Sequence, residues 1–179
     1  CSSDLRLIDD LFGGRIQTLA SNAFNIAAAT KDADLLVGSV LIPGALTPKL
    51  VTEAMVKTMK PGSAIVDVAI DQGGCIEPTA KHGATYHDKP TFKYPVNGGE
   101  VVCYSVGNMP GAVARTSTFT LTNATMPYMV DLANKGWKKA CQDDKALARG
   151  INTYDGKVYF KGVSDALGYE LHCTCDILK

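Results

Sequence analysis

The apolar run at residues 64–70 is the clearest hydrophobic pattern in the chain, because Asp67 is its only charged residue. A short run rich in β-branched residues is typical of a strand buried on both faces of a parallel sheet. The run ends in Asp71, Gln72 and the pair Gly73-Gly74. Doubly wound α/β sheets bind their ligands outside the carboxyl ends of the strands. The pattern therefore predicts a ligand site with Asp71 at its edge.

Upstream of this run, the hydrophobic positions alternate between helical and extended spacing. The predicted order is helix, strand, helix, strand and helix, at residues 5–12, 15–19, 21–30, 35–42 and 47–60. Pro43-Gly44 breaks the second strand, and Thr47-Pro48 supplies an N-cap hydroxyl and a proline at the first helical position. Strands that alternate with helices predict βαβ units and a parallel sheet. The class is therefore α/β, with part of a doubly wound (Rossmann-like) sheet.

Downstream of Cys75 the pattern changes from regular to irregular. Residues 76–99 show little periodicity and predict a loop, which closes in a hairpin through Asn97-Gly98. The apolar run 101–106 predicts a second buried strand, which ends in the loop 107–111. A helical segment follows from Arg115, with an interruption or a kink at Pro127 and an end at Gly136-Trp137. Further elements are predicted at 138–147 (helix) and 157–160 (strand).

Composition narrows the function classes. Eighteen basic residues balance eighteen acidic ones among 179, which argues against a nucleic-acid partner. No apolar run reaches the ~18 residues of a membrane span. We expect the six cysteines to be reduced thiols in a cytoplasmic protein, because the chain is too large to need disulfides; they are Cys1, Cys75, Cys103, Cys141, Cys173 and Cys175.

The chain begins without methionine and contains no G-x-G-x-x-G fingerprint for a dinucleotide. We expect a fragment that begins after that loop, since this one explanation covers both observations. Position alone leaves two roles open for Asp71, an active-site acid or a carboxylate that caps the next turn. Asp67, inside the strand, is interpreted as a structural acid. Met109 is interpreted as a core residue when taken in isolation.

Five motifs, in this order, resemble NAD-dependent alanine dehydrogenases. They lie at residues 35–44, 48–51, 66–75, 108–113 and 116–125. The resemblance runs from about residue 5 to about residue 150. It implies that residues 1–115 are the second part of an NAD-binding Rossmann domain. It further implies that residues 116–179 are a C-terminal, helical segment that returns to the catalytic domain.

The resemblance also implies a cofactor, substrates and site residues. The cofactor would be NAD, the substrates L-alanine or pyruvate with ammonia, and the assembly a homohexamer. Asp71 matches the active-site aspartate of the family. Ser3 and Lys135 stand where some members carry an acid and a histidine for magnesium, so no metal site is expected. The implied cofactor contacts are Ser21, Val40, Leu41, Val68, Ala69, Ile70, Asp71, Val106, Gly107, Asn108 and Met109.

Two alternatives stay open beside the dehydrogenase. The nucleotide-binding component of proton-translocating transhydrogenase is related, but it typically has glutamate in place of Asp71 and Asp-Leu-Pro in place of residues 108–110. A non-catalytic, NAD-binding or interaction protein is the other. In either case, the 179 residues alone are expected to be inactive, because they lack the glycine-rich loop.

Overall fold

The computed structural model describes residues 2–42 and 46–179, with side chains from residue 5 onward. The chain forms two compact units, one of Cys1–Val40 and Pro48–Gly107 and the other of Leu41–Thr47 and Asn108–Lys179. The predicted break at Pro43-Gly44 lies outside the described residues. The predicted boundary between an NAD-binding domain (1–115) and a segment of the catalytic domain (116–179) refers to the complete enzyme, and it stays a prediction.

The first unit is built on a four-stranded sheet. Its strands are β1 (Leu35–Gly38), β2 (Ala64–Asp67), β3 (Thr91–Val96) and β4 (Gly99–Tyr104). They lie in the order β1-β2-β4-β3, and β1, β2 and β4 are parallel. The hairpin strand β3 is antiparallel to β4 and lies at the end of this order. The α/β class is confirmed, and the carboxyl ends of the three parallel strands share one edge of the sheet.

Helices precede and connect these strands. They are α1 (Ser2–Phe12), α2 (Ala23–Asp32), α3 (Glu53–Val56) and α4 (Glu77–His82). Two of them begin at side-chain caps, because a helix N-terminus leaves its first N–H groups without internal acceptors. The Asn22 side chain accepts from the amide of Asn25 at 2.8 Å. The Thr52 hydroxyl accepts from the amide of Met55 at 3.3 Å.

Three local predictions for this unit were wrong. Residues 15–19 form no strand, and the described sheet has no strand beside β1 on its outer side with which they could pair. The predicted helix 47–60 begins at Glu53 instead, because Val51 forms a parallel bridge to Ile76. The predicted loop 76–99 contains α4. In the second case a contact distant in sequence decided the local structure.

The core of the first unit lies between the sheet and the helices that cover it. Ile65 on β2 and Val101 on β4 are fully buried, and the 51–59 segment adds further apolar side chains. The alternation along β4 places Val101 and Cys103 inside and leaves Val102 exposed. Members of this core cluster include Val51, Val56, Met59, Ile65, Cys75, Ile76, Val101 and Cys103.

The second unit is mainly helical. A long helical segment, α5 (Ala114–Asp143), is followed by α6 (Lys145–Ala148) and α7 (Lys161–Leu167). Gly136 has φ 73° and ψ 158°, so it divides α5 into two helical pieces at the predicted end. The interruption predicted at Pro127 does not occur, since that residue lies inside the first piece.

A small hairpin and a short turn complete the second unit. Strands β5 (Thr153–Tyr154) and β6 (Lys157–Val158) pair antiparallel, so the predicted strand 157–160 is shorter than expected. A 3₁₀ turn spans Thr174–Asp176. None of the helices in the described part of the chain is both long and apolar enough to cross a bilayer.

Burial on β4 predicts a difference between two neighbouring valines. Val101→Ala should lower the free energy of unfolding by about 2–3 kcal/mol, because two methyl groups leave a fully packed site. Val102→Ala removes the same atoms from a side chain that is 39% exposed, and it should cost less than about 1 kcal/mol. Urea unfolding measures both, and equal losses would contradict the assigned register.

Candidate active site

The segment after β2 turns sharply at Asp67. The sequence predicted a strand through Ile70, but the strand ends at Asp67 and Val68–Gln72 forms a 3₁₀ helix. Ala69 and Ile70 therefore point into the core, each only 7% exposed, while Val68 is exposed. Of the predicted cofactor contacts in this segment, only Val68 and Asp71 offer exposed side chains.

The Asp67 carboxylate bonds the residues that follow this turn. It is fully buried and accepts hydrogen bonds from the amides of Cys75 (3.1 Å) and Ile76 (3.2 Å) and from the hydroxyl of Thr79 (2.5 Å). Buried carboxylates require such donors, because removal from water otherwise disfavours the charge strongly. The interpretation of Asp67 as a structural acid is confirmed.

Asp71 lies where two strand ends meet. It is exposed near the end of the 3₁₀ helix after β2, and Gly107 comes three residues after β4. A Cβ placed on Gly107 would lie 3.1 Å from Asp71 Oδ1 and 3.6 Å from the Cβ of Ala84. Glycine thus allows the backbone to approach the carboxylate closely. The loops after β2 and β4 therefore converge on one acid at the carboxyl edge of the sheet.

A cavity of about 250 Å³ opens beside the end of β1. It brings together Ser21 and Val40, two predicted cofactor contacts that are 19 positions apart. Thr30, 1% exposed, lines this cavity, and its hydroxyl has no hydrogen-bond partner within the described chain. Such an orphaned hydroxyl suits a polar ligand atom, since buried polar groups are normally bonded. Other lining residues are Leu36, Leu50 and Cys75.

Four further predicted cofactor contacts do not line the cavity beside β1. Val106 is buried, with 1% of its surface exposed. Leu41, Asn108 and Met109 belong to the second compact unit. Asn108 has a left-handed backbone (φ 54°), which asparagine tolerates better than most residues. Met109 is partly exposed and begins a 3₁₀ helix that ends at Val113.

The cysteines divide into buried thiols and one disulfide. Cys75, Cys103 and Cys141 are buried free thiols, as expected. Cys173 and Cys175 are bonded to each other, so the expectation of reduced thiols was wrong for this pair. Their Cα atoms are 5.2 Å apart in the 3₁₀ turn, within the range that a disulfide spans. Cys1 lies outside the described residues.

Burial raises the pKa of all three free thiols, and most strongly that of Cys75 and Cys103. It raises the pKa of Cys75 to about 11, and the nearby Asp67 carboxylate adds to the increase. Burial alone raises the pKa of Cys103 to about 11. Both groups are therefore protonated at neutral pH and are poor nucleophiles. Within the described residues, no three His, Cys, Asp or Glu side chains form a group that could hold a metal ion.

Comparison with known proteins identifies the family. The family model "Alanine dehydrogenase/PNT, C-terminal domain" matches residues 2–161, which is most of the chain. The chain belongs to this family. The resemblance drawn from the motifs is therefore confirmed.

Three similar proteins are alanine dehydrogenases. An alanine dehydrogenase of Bilophila wadsworthia (strain 3_1_6) is 99% identical over 175 residues, which are 98% of this chain and 46% of that protein. One of Bacillus subtilis (strain 168) is 58% identical over 93% of this chain and 42% of its own length. A solved L-alanine dehydrogenase superposes with a TM-score of 0.75 at 45% identity, over 94% of this chain and 44% of that one. The chain thus spans about half the length of these relatives.

Two residues near the site were not predicted from the sequence. Lys49 donates to the carbonyl oxygens of Gly73 and Gly74, although it was known only as part of the matching motif 48–51. Thr30 was expected only as the last residue of a helix. Neither the Lys49 bonds nor the position of Thr30 has a signal in the sequence, because both depend on how the sheet places the loops.

The two raised pKa values predict the reactivity of the cysteines. At pH 8, Cys75 and Cys103 should react with iodoacetamide about a hundredfold more slowly than an ordinary thiol, from the smaller thiolate fraction alone. Cys173 and Cys175, exposed and reduced beforehand, provide the internal comparison. Mass spectrometry of the digested protein measures the rates, and equal labelling of all four sites would contradict the burial of the first two.

Proposed function

We propose that this chain supplies part of the NAD site, and one active-site acid, of an alanine dehydrogenase. In the complete enzyme, L-alanine loses a hydride from its α-carbon and becomes iminopyruvate, which takes up water and releases ammonia to leave pyruvate. NAD, when bound, accepts that hydride. The observation that carries the proposal is the convergence of the loops after β2 and β4 on Asp71, in a chain of this family.

The role proposed for Asp71 is to handle water and the amine. A carboxylate acts as a general base or acid when it lies within about 3 Å of the proton it moves. The exposed carboxylate at the sheet edge has the position for such a contact, and Gly107 leaves room beside it. Asp71 therefore holds the attacking water against the imine carbon and accepts its proton.

The cavity beside β1 is proposed to take the adenosine half of NAD. The apolar side chains of Leu36, Val40 and Leu50 offer surfaces for a flat ring, and the Thr30 hydroxyl offers a buried polar partner. Ser21 lies at its exposed rim. Val68, with the backbone of Ala69 and Ile70, would flank the nicotinamide ribose, as would Val106 and Gly107. Leu41, Asn108 and Met109 complete the proposed set of contacts through the family resemblance.

The assembly is proposed to be a homohexamer in the cytoplasm, on the family resemblance. Exposed apolar side chains on α5 are compatible with coverage by other parts of a larger assembly. They include Phe119, Leu121, Met126, Met129 and Val130. The same resemblance gives L-alanine, pyruvate and ammonia as the reactants.

Asp71→Asn tests the catalytic proposal in the full-length Bilophila wadsworthia relative. Turnover should fall by about a hundredfold or more with the fold intact, because the amide cannot accept the proton. Asp34→Asn is the matched control, since Asp34 directly precedes β1 at the opposite edge of the sheet. Steady-state NADH formation measures both variants. Near-normal turnover of Asp71→Asn would reject the role.

Ser21→Trp tests the adenosine site in the same protein. An indole at the rim should occupy part of the 250 Å³ cavity and raise the KM for NAD by about tenfold with little change in kcat, since only binding is lost. Gln17→Trp places the same side chain on an exposed position that does not line the cavity. An unchanged KM in Ser21→Trp would show that adenosine binds elsewhere.

A further inference from the structure

We propose that Lys49 is a positioning residue that holds the Gly73-Gly74 peptide and, through it, the turn that carries Asp71. This inference rests on the proposed function, because its consequence for activity requires that Asp71 act in the reaction. Lys49 itself touches backbone only among the bonds described, and it is assigned no contact with substrate or cofactor.

The glycine pair gives this loop a backbone conformation that other residues rarely adopt. Gly73 and Gly74 have φ values of 89° and 73°, in the left-handed region that glycine adopts without strain. Glycine also has the largest conformational freedom to lose, so two in succession give a loop that needs external bonds to stay in one conformation. A side chain at position 74 would meet Asp67, since a Cβ there would lie 2.8 Å from Oδ2.

Lys49 supplies bonds to this pair from one side. Its ammonium group donates to the carbonyl oxygen of Gly73 at 2.5 Å and to that of Gly74 at 2.6 Å. The backbone that carries Lys49 is itself anchored to the same loop. The amides of Leu50 (2.9 Å) and Val51 (3.3 Å) donate to the carbonyl of Cys75. The backbone next to Lys49 is therefore held in place, and the long side chain reaches across the loop from there.

Asp67 holds the following residues from the buried side. Its carboxylate accepts from the amides of Cys75 and Ile76, directly after the glycines. The Thr79 hydroxyl bonds the same carboxylate and so ties α4 to the loop. The loop is thus bonded by a buried anion through its N–H groups and by an exposed cation through its C=O groups.

The Gly73–Gly74 peptide connects this arrangement to Asp71. The carbonyl of that peptide accepts from Lys49, and its N–H donates to the carbonyl of Ala69 at 2.9 Å. The amide of Gly73 likewise donates to the carbonyl of Ile70 at 2.9 Å. A peptide group is planar, so a bond on its oxygen restricts the direction of its N–H. Lys49 therefore restrains the 3₁₀ turn in which Asp71 lies.

Lys49 should matter more for catalysis than for folding. Its bond to Gly73 is exposed and its bond to Gly74 is only partly buried, and a hydrogen bond that water can replace contributes little to stability. A displacement of about 1 Å in a reacting group can cost on the order of a hundredfold in rate. The effect of losing Lys49 should therefore appear in turnover and in local exchange, and hardly in the unfolding midpoint.

The test compares Lys49→Met, Lys49→Arg and Lys60→Met in the full-length Bilophila wadsworthia relative. Lys60 is the matched control, because its surface ion pair with Asp34 (3.0 Å) lies at the other edge of the sheet. Three quantities are measured: kcat per NADH-binding site with the KM for NAD, the urea midpoint, and hydrogen exchange over residues 68–76 by mass spectrometry.

In Lys49→Met, kcat per site should fall about tenfold while the KM for NAD changes less than threefold. Exchange over residues 68–76 should become faster, and the urea midpoint should stay the same. Lys49→Arg keeps a cation with several N–H donors and should recover part of the rate. Lys60→Met should match the unsubstituted enzyme in every measurement.

Two results would overturn the inference. One is a Lys49→Met enzyme with kcat per site within twofold of normal. The other is unchanged exchange over residues 68–76 in that variant. Full activity of Asp71→Asn would instead reject the role proposed for Asp71, and the exchange measurement would still decide whether Lys49 restrains the turn.

Discussion

The buried carboxylate of Asp67 is the interaction on which the site depends. It stands at the last position of β2 and accepts from three donors of residues 75–79, as a buried carboxylate requires. These bonds hold the chain that follows the 3₁₀ helix against the end of β2. Asp71 lies in that helix and is exposed at the sheet edge.

The parallel arrangement of β1, β2 and β4 gives this turn its functional setting. Because the three strands run in one direction, the residues that follow them emerge at a common edge. Ser21 and Val40 share a cavity beside β1, and Asp71 meets Gly107 between β2 and β4. Gly38 and Gly107 allow the backbone to come close to Cys75 and Asp71. A Cβ at Gly38 would lie 2.5 Å from Cys75 Sγ.

Hydrophobic periodicity predicted strands correctly where the buried side chains lie close together in the sequence. It located β2 and β4 because each is short and carries apolar side chains whose alternate members are buried. It failed at 15–19, where alternation lacks a neighbouring strand, and at 47–52, where an extended bridge to Ile76 replaces the first helical turns. Chain size and composition did not predict the Cys173–Cys175 disulfide, since they do not show whether two sulfur atoms face each other.

The sequence by itself determined the α/β class, the family and Asp71 as the leading acid, because strand patterns and motif order are local properties of the chain. Only the tertiary structure decided which distant residues are brought to the ends of the parallel strands. Lys49 reaches Gly73 from 24 positions away, and Thr30 enters the cavity beside β1 with its hydroxyl unpartnered in the described chain. Such contacts depend on how distant loops are brought to one edge of the sheet, and no spacing in the sequence encodes that distance.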